Sequence, residues 1–330
     1  IPSEIIRLTK QYLIIIGIGI IATFFYNFFG NGLRAIGNSV MPLVFLGVSA
    51  VLNIVLDLIF IVKFNLGVAG AAEATVISQY VSGMGITIYA LLKSTHFRIK
   101  RKHLKFDINI VKELANLSIL TALQQSVMNF GILLVQGLVN SFGTVVMAAF
   151  AAAVKIDTLA YSPVQDFGNA VSTFVAQNYG AGKHRRIKDG WKQSMIAASV
   201  FCVCVSAVVF IFAEKFMGLF VSDGTEIIKV GAGYLRIEGS FYIGIGILFL
   251  LYGFYRAVGK PEMSLILTII SLGTRVVLAY ALSAIPKIGV IGIWISVPIG
   301  WFLADMTGLL YMKKLPLLKS RFRKKYDLHI

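Results

Sequence analysis

Apolar residues in this chain gather into long runs separated by short polar breaks. Nine runs can be marked, at about 10–33, 41–63, 69–92, 114–141, 144–176, 194–220, 230–255, 262–284 and 290–312. Each holds the roughly 20 mostly apolar residues that a helix needs to cross the hydrocarbon of a bilayer. They lack the alternation over about ten positions that marks a strand of a membrane β-barrel. The pattern predicts an all-α polytopic membrane protein with nine transmembrane helices. The fifth run is long and includes polar residues, so its ends are the least defined.

Composition points the same way. Of 330 residues, 57% are hydrophobic and 14% charged, and mean hydropathy is +0.81. A soluble chain carries about 25% charged residues, so an ordinary soluble enzyme is excluded. The net charge of +16 would raise the question of nucleic acid in a soluble protein. Here the cations lie mostly between apolar runs, where they set orientation in a membrane. With the linker 93–112 taken as cytoplasmic, 22 Lys and Arg fall on that side, seven on the other, and Lys155 and Arg275 stay inside runs. The expected topology is multi-pass in the cell membrane with a cytoplasmic C-terminus and no nucleic-acid partner. The chain starts at Ile1, outside the membrane in this topology, and no secretory leader pattern is seen.

Motifs for enzymatic chemistry are missing. Cys202 and Cys204 share one apolar run, and His96, His103, His184 and His329 lie in basic loops or the tail without metal-ligand spacing. Gly182-Lys183 is not a phosphate-binding loop, because His184 stands where Ser or Thr is needed. No enzyme and no cofactor are expected, and energy would come from an ion gradient or a partner.

The chain repeats itself. At an offset of 222, Glu4-Ile5-Ile6 falls on Glu226-Ile227-Ile228, Tyr12-Leu13 on Tyr234-Leu235, Arg34-Ala35 on Arg256-Ala257, and Gly67-Val68 on Gly289-Val290. The first three runs thus recur as the last three, in the same orientation. Parallel repeats of this kind suit a transporter with a binding cavity between its halves. The division expected is residues 1–92 as the last three helices of a first lobe, 93–112 as a basic cytoplasmic linker, 113–314 as a six-helix second lobe, and 315–330 as a basic tail.

Several motifs resemble those of the MATE (multidrug and toxic compound extrusion) family. Arg34-Ala35-Ile36-Gly37-Asn38-Ser39 followed by Pro42 is similar to its RGxGxSxxP loop. Leu52 to Asp57, Gly67 to Ala72, Ala122-Leu123-Gln124-Gln125 and Thr173 to Gly182 match further landmarks in order and spacing. The resemblance implies twelve helices in two pseudo-symmetric lobes, a central chamber, and alternating access driven by H⁺ or Na⁺. Against that pattern this sequence lacks the first three helices. It implies a monomeric antiporter in the lipid bilayer that exports small organic cations or amphipathic compounds.

An ionisable side chain within a span is costly and marks function by default. Asp57 leads the candidates. It follows Asn53 by four residues, so both lie on one helix face. Counted from Lys63 it is about 9 Å deep, and Thr75 counted from Gly67 is about 12 Å deep. A hairpin therefore brings a carboxylate, an amide and a hydroxyl to one level, a set suited to Na⁺ or to a proton-exchanging carboxyl. The alternative is that Asp57 hydrogen-bonds Asn53 and merely locks the hairpin. At the 222 offset Asn53 falls on Arg275, Asp57 on Ala279 and Thr75 on Val297, so the hairpin can be built without the trio. The resemblance implies that Asn53, Asp57 and Thr75, assisted by the Ala72 carbonyl, match the cation site of the DinF-like branch. The NorM-like branch instead uses acidic residues in its second lobe. Met128 lies about where the first of those would fall, and Glu238, two residues past Arg236, reads as near the outer end.

Lower in rank come Asp166 and Asn169 beside Pro163, Gln124 and Gln125, and Tyr26 among the aromatics at 24–29, all chamber candidates. Asn129, Gln136, Asn140, Lys155 and Asp157 read as structural as readily as functional. Arg275 and Asp305 are candidates for a buried pair. Two rivals stay open: a lipid-linked saccharide flippase of the same superfamily, which would need several Arg residues within its spans, and a non-functional truncated fragment.

Overall fold

The computed structural model describes residues 3–98, 106–221 and 224–315. The cations and histidine expected in the linker at 99–105, and those of the tail beyond 315, lie outside the described residues. Among the described residues ten α-helices run as α1 (Ser3–Ala35), α2 (Val40–Asp57), α3 (Gly67–Lys93), α4 (Ile108–Asn140), α5 (Thr144–Gly180), α6 (His184–Phe220), α7 (Thr225–Gly239), α8 (Tyr242–Ala257), α9 (Pro261–Ser283) and α10 (Val290–Lys314). A π-helical turn, Leu58–Lys63, continues α2, and a short 3₁₀ turn, Thr95–Phe97, follows α3. Eight of the described helices are long and apolar enough to cross a bilayer. The one remaining apolar run, 230–255, falls on α7 and α8, bent by 53° at a break around Ser240.

Where helices overshoot the apolar runs, the excess is polar. α6 begins at His184 rather than near 194, so Arg185, Arg186, Lys188 and Lys192 ride on its first turns, with Arg185 and Asp189 3.9 Å apart one turn on. α4 begins at Ile108, where the Asp107 side chain accepts a bond from the Asn109 amide at 2.8 Å. Hydropathy marks where a helix meets lipid; caps mark where it ends. Pro163 sits inside α5 without ending it. Leu43, Val62, Leu133, Ile211 and Phe302 are more than half exposed. Such surfaces need lipid in place of water.

The chain divides into two compact units, residues 1–106 and 107–330. In the first, α3 packs on α1 and α2. Gly83 of α3 lies against the Ala22 carbonyl of α1 so closely that any side chain there would collide with backbone. Three hydroxyls tie the helices to one another. Tyr80 donates to the Ile18 carbonyl at 3.1 Å, Ser49 to that of Ser78 at 2.9 Å, and Tyr26 to that of Pro42 at 3.0 Å. In the second unit α5 packs against α6, α7 and α8, and α9 lies along α10. The core there centres on Phe150, whose ring stacks on Trp294 at 5.4 Å while Tyr234 meets Trp294 edge-on at 4.9 Å. α5 crosses α8 backbone to backbone at Gly168 and Gly253, and α10 meets the Ser271 carbonyl of α9 at Gly300.

The internal repeat extends to the backbone. Shifted by 222, the bounds of α1 become those of α7 and α8 together. The turn after α1 and the turn after α8 close alike. Asn38 N–H bonds the Leu33 carbonyl and Lys260 N–H bonds the Tyr255 carbonyl, both at 2.9 Å. Gly37 and Gly259 take the left-handed conformation between them, with φ of 91° and 71°, which only glycine adopts without strain. One difference stands out. α1 is continuous, whereas its copy breaks after Gly239.

Candidate functional site

In the first unit α2 and α3 present the trio expected from the sequence. The Asn53 amide reaches the Thr75 hydroxyl at 3.5 Å, and Thr75 donates to the Ala71 carbonyl at 2.9 Å. Ala72 is fully buried beside them. Asp57 is half-buried, and its Oδ1 is shielded from solvent with no hydrogen-bond partner among the described residues. The carboxyl stands at the last turn of α2, where the backbone widens into the π-helical Leu58–Lys63 segment. A π turn leaves carbonyls less tightly paired than an α turn and is frequent at functional sites. The amide of Asn53 is directed at Thr75 rather than spent on Asp57, so the carboxyl is not tied down by the bond that the hairpin-lock alternative requires. Gln79 of α3 was not anticipated. Its Oε1 is also buried and unpartnered, against Gly19 of α1.

The chamber candidates divide by exposure. Gln124 is buried, while Gln125, Asp166 and Asn169 are exposed on the second unit. Tyr26 is half-buried with its hydroxyl occupied by the Pro42 carbonyl. Lys155 is exposed. Gln136 donates to Asn140 at 3.0 Å one turn along α4, a bond within the helix surface.

The second unit holds a polar cluster that sequence reasoning ranked low. Asp157 of α5 is 3% exposed and Glu238 of α7 is 2% exposed. The Tyr242 hydroxyl donates to Asp157 Oδ1 at 2.5 Å, and Tyr234 is buried one helical turn before Glu238 on α7. Glu238 lies two residues before the break in the α7–α8 span and Tyr242 just after it, so the cluster is built around the bend. Arg275 of α9 has its Nε buried without a hydrogen-bond partner among the described residues. No ion pair joins it to Asp305 among the described residues. Asp305 is instead 6% exposed, with its Oδ2 toward Gly244 of α8. Closeness to Arg236 makes Glu238 read as near the outer end, but its side chain is buried within the protein. The Arg236 side chain pairs with Glu214 of α6 at 3.0 Å. The i, i+4 pair of Tyr234 and Glu238 was the available signal.

A prediction follows from the shortest of these bonds. Tyr242→Phe keeps the ring and removes the donor from a buried carboxyl oxygen, and leaving such an acceptor unsatisfied costs about 1–3 kcal/mol. A detergent-solubilised variant should denature at lower temperature, and an unchanged midpoint would show that Asp157 has another donor.

Comparison with known proteins agrees with this architecture. The model of the MatE family matches residues 2–59 and 119–281. The chain is 31% identical over 320 residues to "Probable multidrug resistance protein YpnP" of Bacillus subtilis (strain 168), covering 94% of this chain and 69% of that one. It is 27% identical over 330 residues to "Probable multidrug resistance protein NorM" of Thermotoga maritima, covering 98% and 70%. Among solved structures, an outward-facing multidrug resistance MATE family transporter of the MOP superfamily superposes with a TM-score of 0.89 at 25% identity, over 95% of this chain and 70% of that one. A MOP superfamily transporter from Pyrococcus furiosus gives a TM-score of 0.88, also at 25% identity, over 94% and 70%. With its helices, its internal repeat and its relatives in agreement, this multi-pass membrane chain belongs to the MatE family of transporters.

Proposed function

We propose that the chain serves secondary active export of organic cationic or amphipathic compounds, driven by inward movement of H⁺ or Na⁺. Its first unit would supply three helices of one lobe and its second unit the six of another, nine spans in all, with the C-terminus cytoplasmic. Asp57 is the coupling group in this reading, with Asn53, Thr75 and the Ala72 carbonyl as its neighbours. The observation that carries it is the Asp57 carboxyl oxygen, shielded within an apolar span and without a hydrogen bond. A proton or a bare cation supplies what that oxygen lacks. The coupling ion shifts the alternating-access equilibrium only by its difference in affinity for the two states.

The relatives named for multidrug resistance favour drug-like cargo. The saccharide flippase is disfavoured by the scarcity of cations inside the apolar runs, where Lys155 and Arg275 are the two candidates and Lys155 is exposed. A second reading places coupling at Asp157 and Glu238, because two carboxyls this deeply buried beside a helix break are costly to keep for packing alone.

The test is transport by the protein reconstituted in liposomes, using a fluorescent organic cation. Proton and sodium gradients are imposed separately. Dye movement that follows one gradient and collapses with it is the expected result. Dye indifferent to both gradients would overturn the proposal.

A further inference from the structure

We infer that one face of α6 is a binding surface for an anionic phospholipid: Arg185, Lys188 and Lys192 hold its phosphate end, and Ile196, Val203 and Phe210 line its acyl chains. The inference needs only that α6 crosses the bilayer, and it is independent of the coupling carboxyls.

The helix is longer than the membrane requires. α6 has 37 residues, about 55 Å at 1.5 Å per residue, against roughly 30 Å of hydrocarbon. The 21 residues between Lys192 and Glu214 carry no charge, and they alone fill that thickness. Lys192 therefore stands at one boundary of the hydrocarbon, and the turns before it stand in the headgroup layer. Arg185 to Lys192 spans about 10 Å along the axis, enough to cross that layer, which is roughly 5–8 Å deep.

Packing decides which way those turns face. Ile187 is fully buried, Gly190 lies against the Phe174 ring of α5, and the Trp191 ring meets Phe254 of α8 edge-on at 5.2 Å. With that side pressed into the unit, the roll of the helix is fixed. Arg185, Lys188 and Lys192, three and four residues apart, come together on the outward side, and all three are exposed. The same face continues at 196, 203 and 210, where Ile, Val and Phe are exposed in turn. Ile196 is one turn, about 6 Å, below Lys192. A column of cations thus runs straight into a column of lipid-facing apolar side chains, which is the order of groups along a phospholipid.

Charge decides between headgroups. The anion beside the three cations is Asp189, 3.9 Å from an Arg185 side chain that is 89% exposed, so positive charge predominates. A zwitterionic headgroup brings its own cation against these groups. An anionic one does not, and basic clusters at the membrane boundary recognise such lipids. Arg185 adds paired N–H donors suited to phosphate oxygens. Other cations at this end of the unit engage the protein itself. Arg256 donates from Nε to the Tyr252 carbonyl at 3.2 Å, and Lys260 Nζ donates to the Tyr311 hydroxyl at 3.4 Å.

Ile196→Trp places a fluorescent reporter on this face. The full chain is reconstituted in mixtures of phosphatidylglycerol and phosphatidylcholine, with brominated acyl chains on one lipid at a time. Quenching of the added emission, measured against the protein without the reporter, gives the relative affinity of the two lipids. We expect phosphatidylglycerol to be preferred by about tenfold or more at low salt, with the preference falling as salt is raised. Arg185→Gln, Lys188→Gln and Lys192→Gln together should bring the two lipids to within about twofold of each other. Lys112→Gln, Lys313→Gln and Lys314→Gln remove as much charge from exposed positions and should leave most of the preference in place.

Equal quenching by the two lipids with the α6 cations intact overturns the inference, and so does a preference that survives the α6 triple variant. An equal loss in the comparison triple overturns it too, because the field of the whole surface would then be choosing the lipid. If the α6 triple variant does not fold, the comparison triple and the salt titration decide. A preference unmoved between about 0.05 and 1 M salt excludes the cations as its cause.

Discussion

Asp57→Asn is expected to lower ion-coupled efflux by about tenfold or more, which corresponds to roughly 1.4 kcal/mol or more of lost differential ion binding. The substitution is nearly isosteric, but it removes the charge and the exchangeable proton. The structure also specifies what should not change. Asn53 already directs its amide to Thr75, and Tyr26 and Ser49 tie α2 to its neighbours through bonds that do not involve Asp57. Thermal stability in detergent should therefore stay close to that of the parent. If Asp57 were only a hairpin lock, stability and transport would fall together. Parallel measurement of dye efflux and the denaturation midpoint separates the two, and unchanged efflux would remove Asp57 from the coupling mechanism.

The largest effect on stability is expected from Gly253→Val, at about 3 kcal/mol of destabilisation, the upper end for overpacking. A Cβ at position 253 would collide with the backbone carbonyl of Gly168 and lie 3.4 Å from the amide nitrogen of Ser172. Both groups belong to the interior of α5, so no flexible side chain can give way, and α5 and α8 would have to separate. Their crossing holds Asp157 on one helix and Tyr242 on the other, so the variant should also disturb the bond between them. The control is Gly233→Ala in α7, where an added methyl would meet nothing within 4 Å. That change should be neutral or slightly stabilising, because alanine favours the helix over glycine by about 0.5–1 kcal/mol. The monodisperse fraction after heating reads both variants. A tolerated valine at 253 would mean that the helices pack less closely than described here.

Much of this organisation is written locally in the chain. Apolar runs long enough to span a bilayer became helices because an unpaired backbone in lipid is too costly to permit anything else. The repeat was legible at an offset of 222, and Gly37, Gly67, Gly259 and Gly289 mark turns whose left-handed backbone requires that residue. Asn53 and Thr75 could be paired from spacing alone, because they sit on two helices joined by a short turn, and Asp57 ends the helix that carries Asn53.

Distance along the chain hid the remainder. Asp157 and Tyr242 are 85 residues apart, and no periodicity relates a side chain on α5 to one on α8. The break after Gly239 carries no proline, and the equivalent stretch of α1 runs straight through. The burial of Glu238 and the surroundings of Arg275 depend on which faces of α5, α7 and α9 meet. Helix formation and the coarse topology follow from backbone hydrogen bonding and hydropathy, which act residue by residue. Which carboxyls share a dry interior, and which cation stands near them, is set by side-chain packing between helices that the chain order leaves far apart.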